Sequence, residues 1–464
     1  MTRKTLKPLL LASVAGLGLI VGPGAASAET LADALVSAYR NSHLIEQYRA
    51  TLAAADEDVA QAVADLRPVV QWGLEFASQR CDYQTTSCAY MRDWTDIETT
   101  LTLSASWTLY DFGRTQFNIG IQKETVLATR EALRSTEQSV LLSAVAAYAD
   151  AKATAEQVAI NENSVRVIGE QLKATQDKFD VGEVTRTDVA QAEASLAGAR
   201  ASLSAAQGNY KAARESYKAA IGHYPDRLSG LPRAPKLPKS ADEAAQTALR
   251  LHPAIKQAQH QVAAYDLGVA LADAQRNPTI TGSLGYGNID GYGHSGAASV
   301  TMSQTIYSGG AISSARRQAI VNREGARATL RQQGVTVAQA VANAYAMIDV
   351  YRAQIGAYQE QIRAADIAYR GVKEEATLGA RTTLDVLDAE QNLLDARASL
   401  ITAEADLQVG YYQLLSDMGL LTVEDLKLGI PTYDPAAYYN AVQKAPLSVQ
   451  GERLDRVLRA IGKQ

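Results

Sequence analysis

Two aspartates, Asp385 and Asp388, are the side chains in this sequence whose spacing is best suited to chemistry. They lie three residues apart in a stretch that favours helix, so their carboxylates would share one helix face. Such a pair can act as general acid and base, or it can contribute to a carboxylate ring that favours cations in a narrow pore. No nucleophile or pocket motif accompanies the pair, which argues against catalysis. For Asp388 alone, an exposed acidic face is the alternative.

The other residues that could do chemistry predict no active site. The glycine-rich residues 285–296 lack the Lys-Ser/Thr of a phosphate-binding loop, and we interpret them as a flexible outer hairpin loop. No Gly-x-Ser-x-Gly motif of a nucleophile elbow occurs. The five histidines lack metal-ligand spacing; they are His43, His223, His252, His260 and His294. We therefore predict that the protein is not an enzyme and binds no metal or cofactor.

The two aspartates belong to the second copy of an internal repeat. Residues 182–222 align without a gap with residues 379–419, and about fourteen of roughly forty pairs are identical. Each copy begins with a glycine, Gly182 or Gly379, that suits a left-handed helix C-terminus. A Thr-x-x-Asp capping box follows each glycine, at residues 185–188 and 382–385. The sequence therefore predicts two helix–turn–helix tips, which we call the first tip (residues 182–188) and the second tip (residues 379–388).

Two differences between the copies are not explained by helix capping. Arg381 stands where the first copy has Val184, and Asp388 stands where it has Gln191. The turn itself requires neither residue, because the first copy makes the same turn without them. These two positions are therefore candidates for function.

Four stretches are predicted to be membrane-spanning strands, and all but the third alternate large apolar with small polar residues. They are residues 70–76, 100–109, 279–287 and 298–307. A soluble sheet with one buried face is the alternative for the first pair. Four membrane strands cannot close a barrel, so two copies of the chain would give eight strands and three would give twelve. The small polar residues on the predicted inner face favour a water-filled lumen.

Long stretches without proline predict helices around the strands. The longest cover residues 118–179 and 313–377, and the first would reach about 90 Å, a length typical of coiled coils. Shorter helices are predicted at residues 31–66 and 241–276, and return helices run from the tips to Ile221 and Met418. The same order of elements occurs twice. We divide the chain into a signal peptide (1–28), a first repeat (29–227), a proline-rich linker (228–240), a second repeat (241–430) and a tail (431–464).

The composition and the cysteines limit which cell compartments and which classes of partner fit this sequence. The net charge of −5 becomes more negative without the signal peptide, which argues against a nucleic-acid partner. Past the signal peptide, no stretch is apolar enough to predict a membrane-spanning helix. Cys81 and Cys88 predict a disulfide that braces the longer first hairpin, with two free thiols as the alternative. No cysteine suitable for lipidation follows the apolar run of the signal peptide.

From its start after the signal peptide to about residue 428, the chain resembles the trimeric outer-membrane factors of the TolC type. The motifs that carry the resemblance are SWTLYDFG and SQTIYSGG after the strands, and VGEVTRTDV and LGARTTLDVLDA at the tips. The resemblance implies a mainly α chain with membrane β-strands. It implies a homotrimeric twelve-stranded barrel in outer-membrane lipid, continued by an α-helical tunnel through the periplasm. The implied function is an exit channel for type I secretion or multidrug efflux, and a periplasmic or secreted coiled-coil structural protein is the alternative.

The resemblance also assigns roles to residues at the tips. Asp385 and Asp388 match the aspartates of the family's periplasmic constriction. Arg381 matches an arginine that, in the closed state, bonds to the Thr-Asp of a neighbouring first tip, here Thr187 and Asp188. A tyrosine of that gate network is replaced by Ala376.

Family partners are a periplasmic adaptor protein and an inner-membrane pump of the ABC or RND type. The tip turns that would dock on the adaptor contain Gly182, Val184, Gly379 and Leu384. The missing lipidation cysteine favours the secretion branch over the lipoprotein efflux branch.

Overall fold

A computed structural model describes residues 28–77, 98–289 and 293–444 of the chain. The predicted signal peptide, except for Ala28, lies outside these residues. The predicted disulfide between Cys81 and Cys88 also lies outside them.

Nine helices and four strands make up the described residues, and their order repeats once. The first half contains α1 (Leu31–Asn41), α2 (His43–Ala64), β1 (Val69–Ala77), β2 (Glu98–Tyr110), α3 (Arg114–Asp180) and α4 (Arg186–Ile221). The second half contains α5 (Ala241–Leu251), α6 (Pro253–Ala274), β3 (Thr279–Ile289), β4 (Gly293–Ser303), α7 (Ala311–Thr377) and α8 (Thr383–Asp417). A short helix, α9 (Pro435–Val442), follows.

The four strands form one antiparallel sheet in the order β1-β2-β3-β4. One face is apolar: Trp72 lies opposite Leu103, which lies opposite Tyr286 on β3. The other face is lined by hydroxyls; for example, the Oγ atoms of Ser283 and Ser299 are 2.7 Å apart. The predicted alternation of apolar and polar residues is therefore present across the whole sheet. None of the described helices has the length and apolar character that a membrane span requires.

The second hairpin corrects two predictions. Strand β4 runs over Gly293–Ser303 and not over residues 298–307, so Ile306 lies beyond it with 96% of its surface exposed. The glycine-rich stretch, predicted as a flexible loop, is mostly strand, because Gly285, Gly287 and Gly296 pair across the β2-β3-β4 ladder. Pairing with the neighbouring strand outweighs the weak strand propensity of glycine here.

Before each hairpin the structure has two consecutive helices where the sequence predicted a single one. Ser42 ends α1 and caps α2, its hydroxyl accepting a hydrogen bond from the backbone N–H of Ile45. His252 and Pro253 divide the second predicted helix in the same way, with proline at the first helical position of α6. The two longest helices agree with prediction: α3 and α7 each have 67 residues, about 100 Å at the usual helical rise.

The long helices pack side by side in one layer, with α3 between α4 and α8, and α8 between α3 and α7. The main core lies midway along this layer, where Tyr148, Tyr217 and Leu414 are fully buried. The linker is tied to this core, because the Tyr148 hydroxyl lies 3.0 Å from the carbonyl oxygens of both Glu29 and Ser229.

Beyond the second repeat, the chain returns to α2. The Tyr438 hydroxyl donates a 2.7 Å hydrogen bond to Glu57. Nearby, Asp56 is completely buried, and neither of its carboxylate oxygens has a hydrogen-bond partner in the described part of the chain. Burial raises the pKa of Asp56 to about 6, although the Arg130 guanidinium opposes the shift. An ionised Asp56 is therefore a cost to the folded state at neutral pH.

We expect Asp56→Asn to stabilise the protein at pH 7. Because the folded pKa lies above the unfolded value of 3.8, Asp56 lowers the free energy of unfolding as pH rises from about 4 to about 6. At pH 7 the penalty is on the order of 1–3 kcal/mol. Thermal unfolding followed by circular dichroism should give Asp56→Asn the higher melting temperature at pH 7, with a gain that disappears near pH 4. Glu57→Gln, which weakens the bond to Tyr438, is the matched control and should bring no gain. A wild-type melting temperature at pH 7 for Asp56→Asn would contradict the expectation.

Candidate functional site

The first tip is a tight reversal between α3 and α4. Gly182 has φ +82°, and the N–H of Glu183 donates to the carbonyl of Lys178, closing a Schellman-type C-cap. Thr185 then caps α4: its hydroxyl accepts from the N–H of Asp188, and Asp188 Oδ2 accepts from the N–H of Thr185 at 2.8 Å. The predicted capping box is confirmed.

The second tip repeats this geometry between α7 and α8. Gly379 has φ +79°, and the N–H of Ala380 donates to the carbonyl of Glu375. Thr382 and Asp385 form the second capping box, with a 2.9 Å bond from the Thr382 N–H to Asp385 Oδ2. Replacing Gly182 or Gly379 by another residue would strain the backbone, because both have a left-handed conformation. The space around both glycines is open, so a side chain itself would not clash.

Both capping aspartates are held in the ionised form. Hydrogen bonds from Thr185 lower the pKa of Asp188. Hydrogen bonds from Thr382 lower the pKa of Asp385, and the charge of Arg381 adds to this effect. Asp385 therefore keeps its negative charge at neutral pH. Asp388, one turn later on α8, is exposed and takes no part in the cap.

Arg381 has a partner that the sequence analysis missed. Its Nε donates to Glu375 Oε2 at 2.9 Å, across the turn of the second tip. Among the described residues of the chain, Arg381 forms no hydrogen bond or ion pair with Thr187, which is exposed, or with Asp188. The internal alignment carried a signal for this pair, because Glu375 stands where the first copy has Lys178. The second copy therefore differs from the first at both members of this ion pair, Glu375 and Arg381.

Each tip also presents an exposed apolar side chain that the sequence analysis missed. Val181 is 71% exposed and Leu378 is 85% exposed, and each directly precedes its tip glycine. Of the predicted docking residues, Leu384 is 38% exposed and Val184 is partly buried. The helices that lead into the two tips, α3 and α7, are in contact within the chain, where Lys178 Nζ lies 3.4 Å from the carbonyl oxygen of Ala376.

A sequence family described as outer membrane efflux protein matches residues 34–223 and 244–419 of the chain. The outer membrane efflux protein BepC of Brucella suis biovar 1 (strain 1330) is 34% identical over 450 residues, covering 95% of this chain and 96% of BepC. The outer membrane protein TolC of Escherichia coli (strain K12) is 24% identical over 447 residues, covering 91% of this chain and 88% of TolC.

Among solved structures, the Campylobacter jejuni CmeC outer membrane channel superposes with a TM-score of 0.75. The match covers 90% of each chain at 15% sequence identity, so it shows the fold alone. The predicted fold class, mainly helical with four strands per chain leading into long helices, is confirmed.

Proposed function

The chain belongs to the outer membrane efflux protein family, and we propose that three copies of it form the exit channel of a tripartite export system. Its place is the outer membrane, with the helical part in the periplasm. Members of this family are channels and not enzymes. The observation that carries the proposal is a four-stranded sheet whose two outer strands have no second partner among the described strands, and which leads directly into two helices of 67 residues.

The sheet edges support assembly with other copies of the chain. Among the described strands, β1 pairs only with β2 and β4 only with β3. An open edge in lipid leaves backbone groups unsatisfied, so β1 of one copy would pair with β4 of the next. Three copies give twelve strands, enough for a lumen, and the hydroxyl-lined face of the sheet suits water inside.

The helical layer offers a second contact between copies. Its outer helices are α4 and α7. On α7, the apolar side chains of Val321, Val335 and Ile367 are 68%, 61% and 67% exposed. A neighbouring copy placed edge to edge would cover these side chains and continue the layer into a closed tunnel.

The tips would form the periplasmic end of this tunnel and its gate. Asp385 and Asp388 of three copies would make a ring of carboxylates that attracts cations. Arg381 would bind Thr187 and Asp188 of a neighbouring first tip when the gate is closed. The cap uses Oδ2 of Asp188, so Oδ1 is available to a guanidinium from another copy.

The exposed tips would dock on a periplasmic adaptor that connects them to an inner-membrane pump of the ABC or RND type. Because the relative BepC is named an efflux protein, we propose efflux as the system in preference to protein secretion. The duct would be passive, with energy supplied by the pump.

Replacing the apolar residue before each tip glycine by aspartate should abolish export and leave the conductance of the pore unchanged. In Val181→Asp and Leu378→Asp, a charge replaces an exposed apolar contact, which an adaptor surface would have to desolvate. Drug susceptibility of cells that carry each variant should approach that of the deletion strain, with wild-type conductance in planar bilayers. Ile306→Asp, which changes a still more exposed apolar residue near the sheet, is the control and should leave export intact. Unchanged susceptibility in both tip variants would argue against docking there.

Reconstitution of the purified full-length protein tests the channel itself. We expect a heat-modifiable oligomer in outer-membrane fractions, ion conductance in planar bilayers, and greater drug susceptibility on gene deletion. Recovery from the soluble periplasm without oligomer or conductance would refute the channel and favour the coiled-coil structural protein.

A further inference from the structure

Glu390 is a buried acid on α8 that neither the capping boxes nor the predicted gate uses. Only 6% of its surface is exposed. In the described part of the chain it has no hydrogen bond and no ion pair. It lies five residues after Asp385, about 7.5 Å along the helix axis, so it is close to the second tip.

The groups that face Glu390 come from three helices. Lys373 on α7 and Arg166 on α3 attract its negative charge, but neither forms an ion pair with it. Arg166 is instead engaged on its own helix, where it donates to Glu170 at 2.8 Å. The third helix, α4, contributes the buried side chain of Ala192 to the apolar cluster that contains Leu387, one turn before Glu390. Burial raises the pKa of Glu390 to about 7, against the pull of the two cations.

The internal repeat provides a comparison for this burial. Glu193 occupies the matching place on α4 and is exposed. The residues next to the two glutamates are partly shared, as in Ala192 and Ala389, and partly different, as in Ala190 and Leu387. The burial of Glu390 follows from the position of α8 between α3 and α7, whereas α4 is an outer helix of the layer.

We propose that Glu390 is a proton-binding site that sets how tightly α8 packs on α3 beside the second tip. A neutral carboxyl is tolerated at this buried position, one turn after Leu387, whereas a carboxylate without a partner is costly there. Loss of the proton therefore favours displacement of α8 away from α3, toward water. Because α8 carries Asp385 and Asp388 at its start, this displacement loosens the tip. The gate opens more readily as pH rises.

This inference rests on the proposed channel, and conductance recordings separate the two. Purified oligomers in planar bilayers are recorded at symmetric pH from 5.5 to 8.5. Wild type should open several-fold more often at the high end, with the midpoint near pH 7. Glu390→Gln should keep the low open probability of acidic conditions throughout, because its side chain stays neutral.

Asp395→Asn, which removes an exposed acid from the same helix, is the control, and it should retain the wild-type pH profile. A wild-type profile in Glu390→Gln would overturn the inference and leave the channel intact. A change in Glu390→Gln that is equal at every pH would also overturn it, because that result indicates a packing role without proton binding. A wild-type protein without conductance would instead refute the proposed function.

Discussion

Asp388→Asn should lower the preference of the channel for cations over anions by on the order of threefold or more. In three copies the substitution removes three of the six carboxylates of the proposed ring. Asp388 takes no part in the capping box, so the turn should fold unchanged. The permeability ratio comes from the reversal potential across a salt gradient in planar bilayers.

Asp385→Asn should act in the same direction, and the double variant should lose most of the selectivity. Asparagine retains an oxygen that can accept the N–H of Thr382, so the cap is preserved. Asp188→Asn is the matched control, since it changes the equivalent capping acid of the first tip and should leave selectivity near wild type. If the double variant keeps wild-type selectivity, Asp385 serves only to cap the helix and Asp388 is only part of an exposed acidic face.

The predicted selectivity should depend on salt concentration but little on pH. At about 1 M salt the screening length falls to about 3 Å, so the wild type and Asp388→Asn should converge. Hydrogen bonds from Thr382 lower the pKa of Asp385, so this carboxylate remains charged at mildly acidic pH. Selectivity should therefore persist at pH 5.5, where the gate controlled by Glu390 is expected to be mostly closed. The ring and the proton-binding site can thus be told apart in one set of recordings.

The turns and the sheet could be predicted because their signals are local. A glycine followed by Thr-x-x-Asp determines a C-cap and an N-cap within a few residues, and both tips have the predicted geometry. The alternation around Trp72 and Leu103 likewise assigns the two faces of the sheet. The ends of β4 could not be predicted, since its glycines are strand only because β3 pairs with them.

The missed features of the site depend on contacts between helices. Glu390 and Glu193 occupy matching places in the two copies, yet one is buried and the other is exposed in the single chain. The contact between Arg381 and Glu375 spans a turn, so it required the path of the backbone. Only the alignment of the two copies hinted at it, through the exchange of Lys178 for Glu375. Comparison of duplicated segments is thus most informative where the copies differ in charge.

Arg381→Ser should raise single-channel conductance by about twofold or more, because the proposed closed gate loses its bond to the neighbouring Thr187 and Asp188. Within the chain, the same guanidinium is held by Glu375 at 2.9 Å. In the proposed gate, Arg381 therefore has two competing acidic partners, Glu375 in its own chain and Asp188 in the neighbouring copy. Glu375→Gln weakens the first, so it should favour the closed gate and lower conductance.

Opposite effects of the two variants would distinguish a latch from general damage to the tip. If Glu375 merely stabilised the turn, its loss would loosen the gate, and both variants would raise conductance. Cation selectivity gives an independent check. Arg381 lowers the pKa of Asp385 by its charge, but the hydrogen bonds from Thr382 are the larger cause. Asp385 should therefore stay ionised in Arg381→Ser, and the removal of a nearby positive charge should increase selectivity for cations. An Arg381→Ser channel with unchanged conductance and reduced selectivity would place the arginine outside the gate.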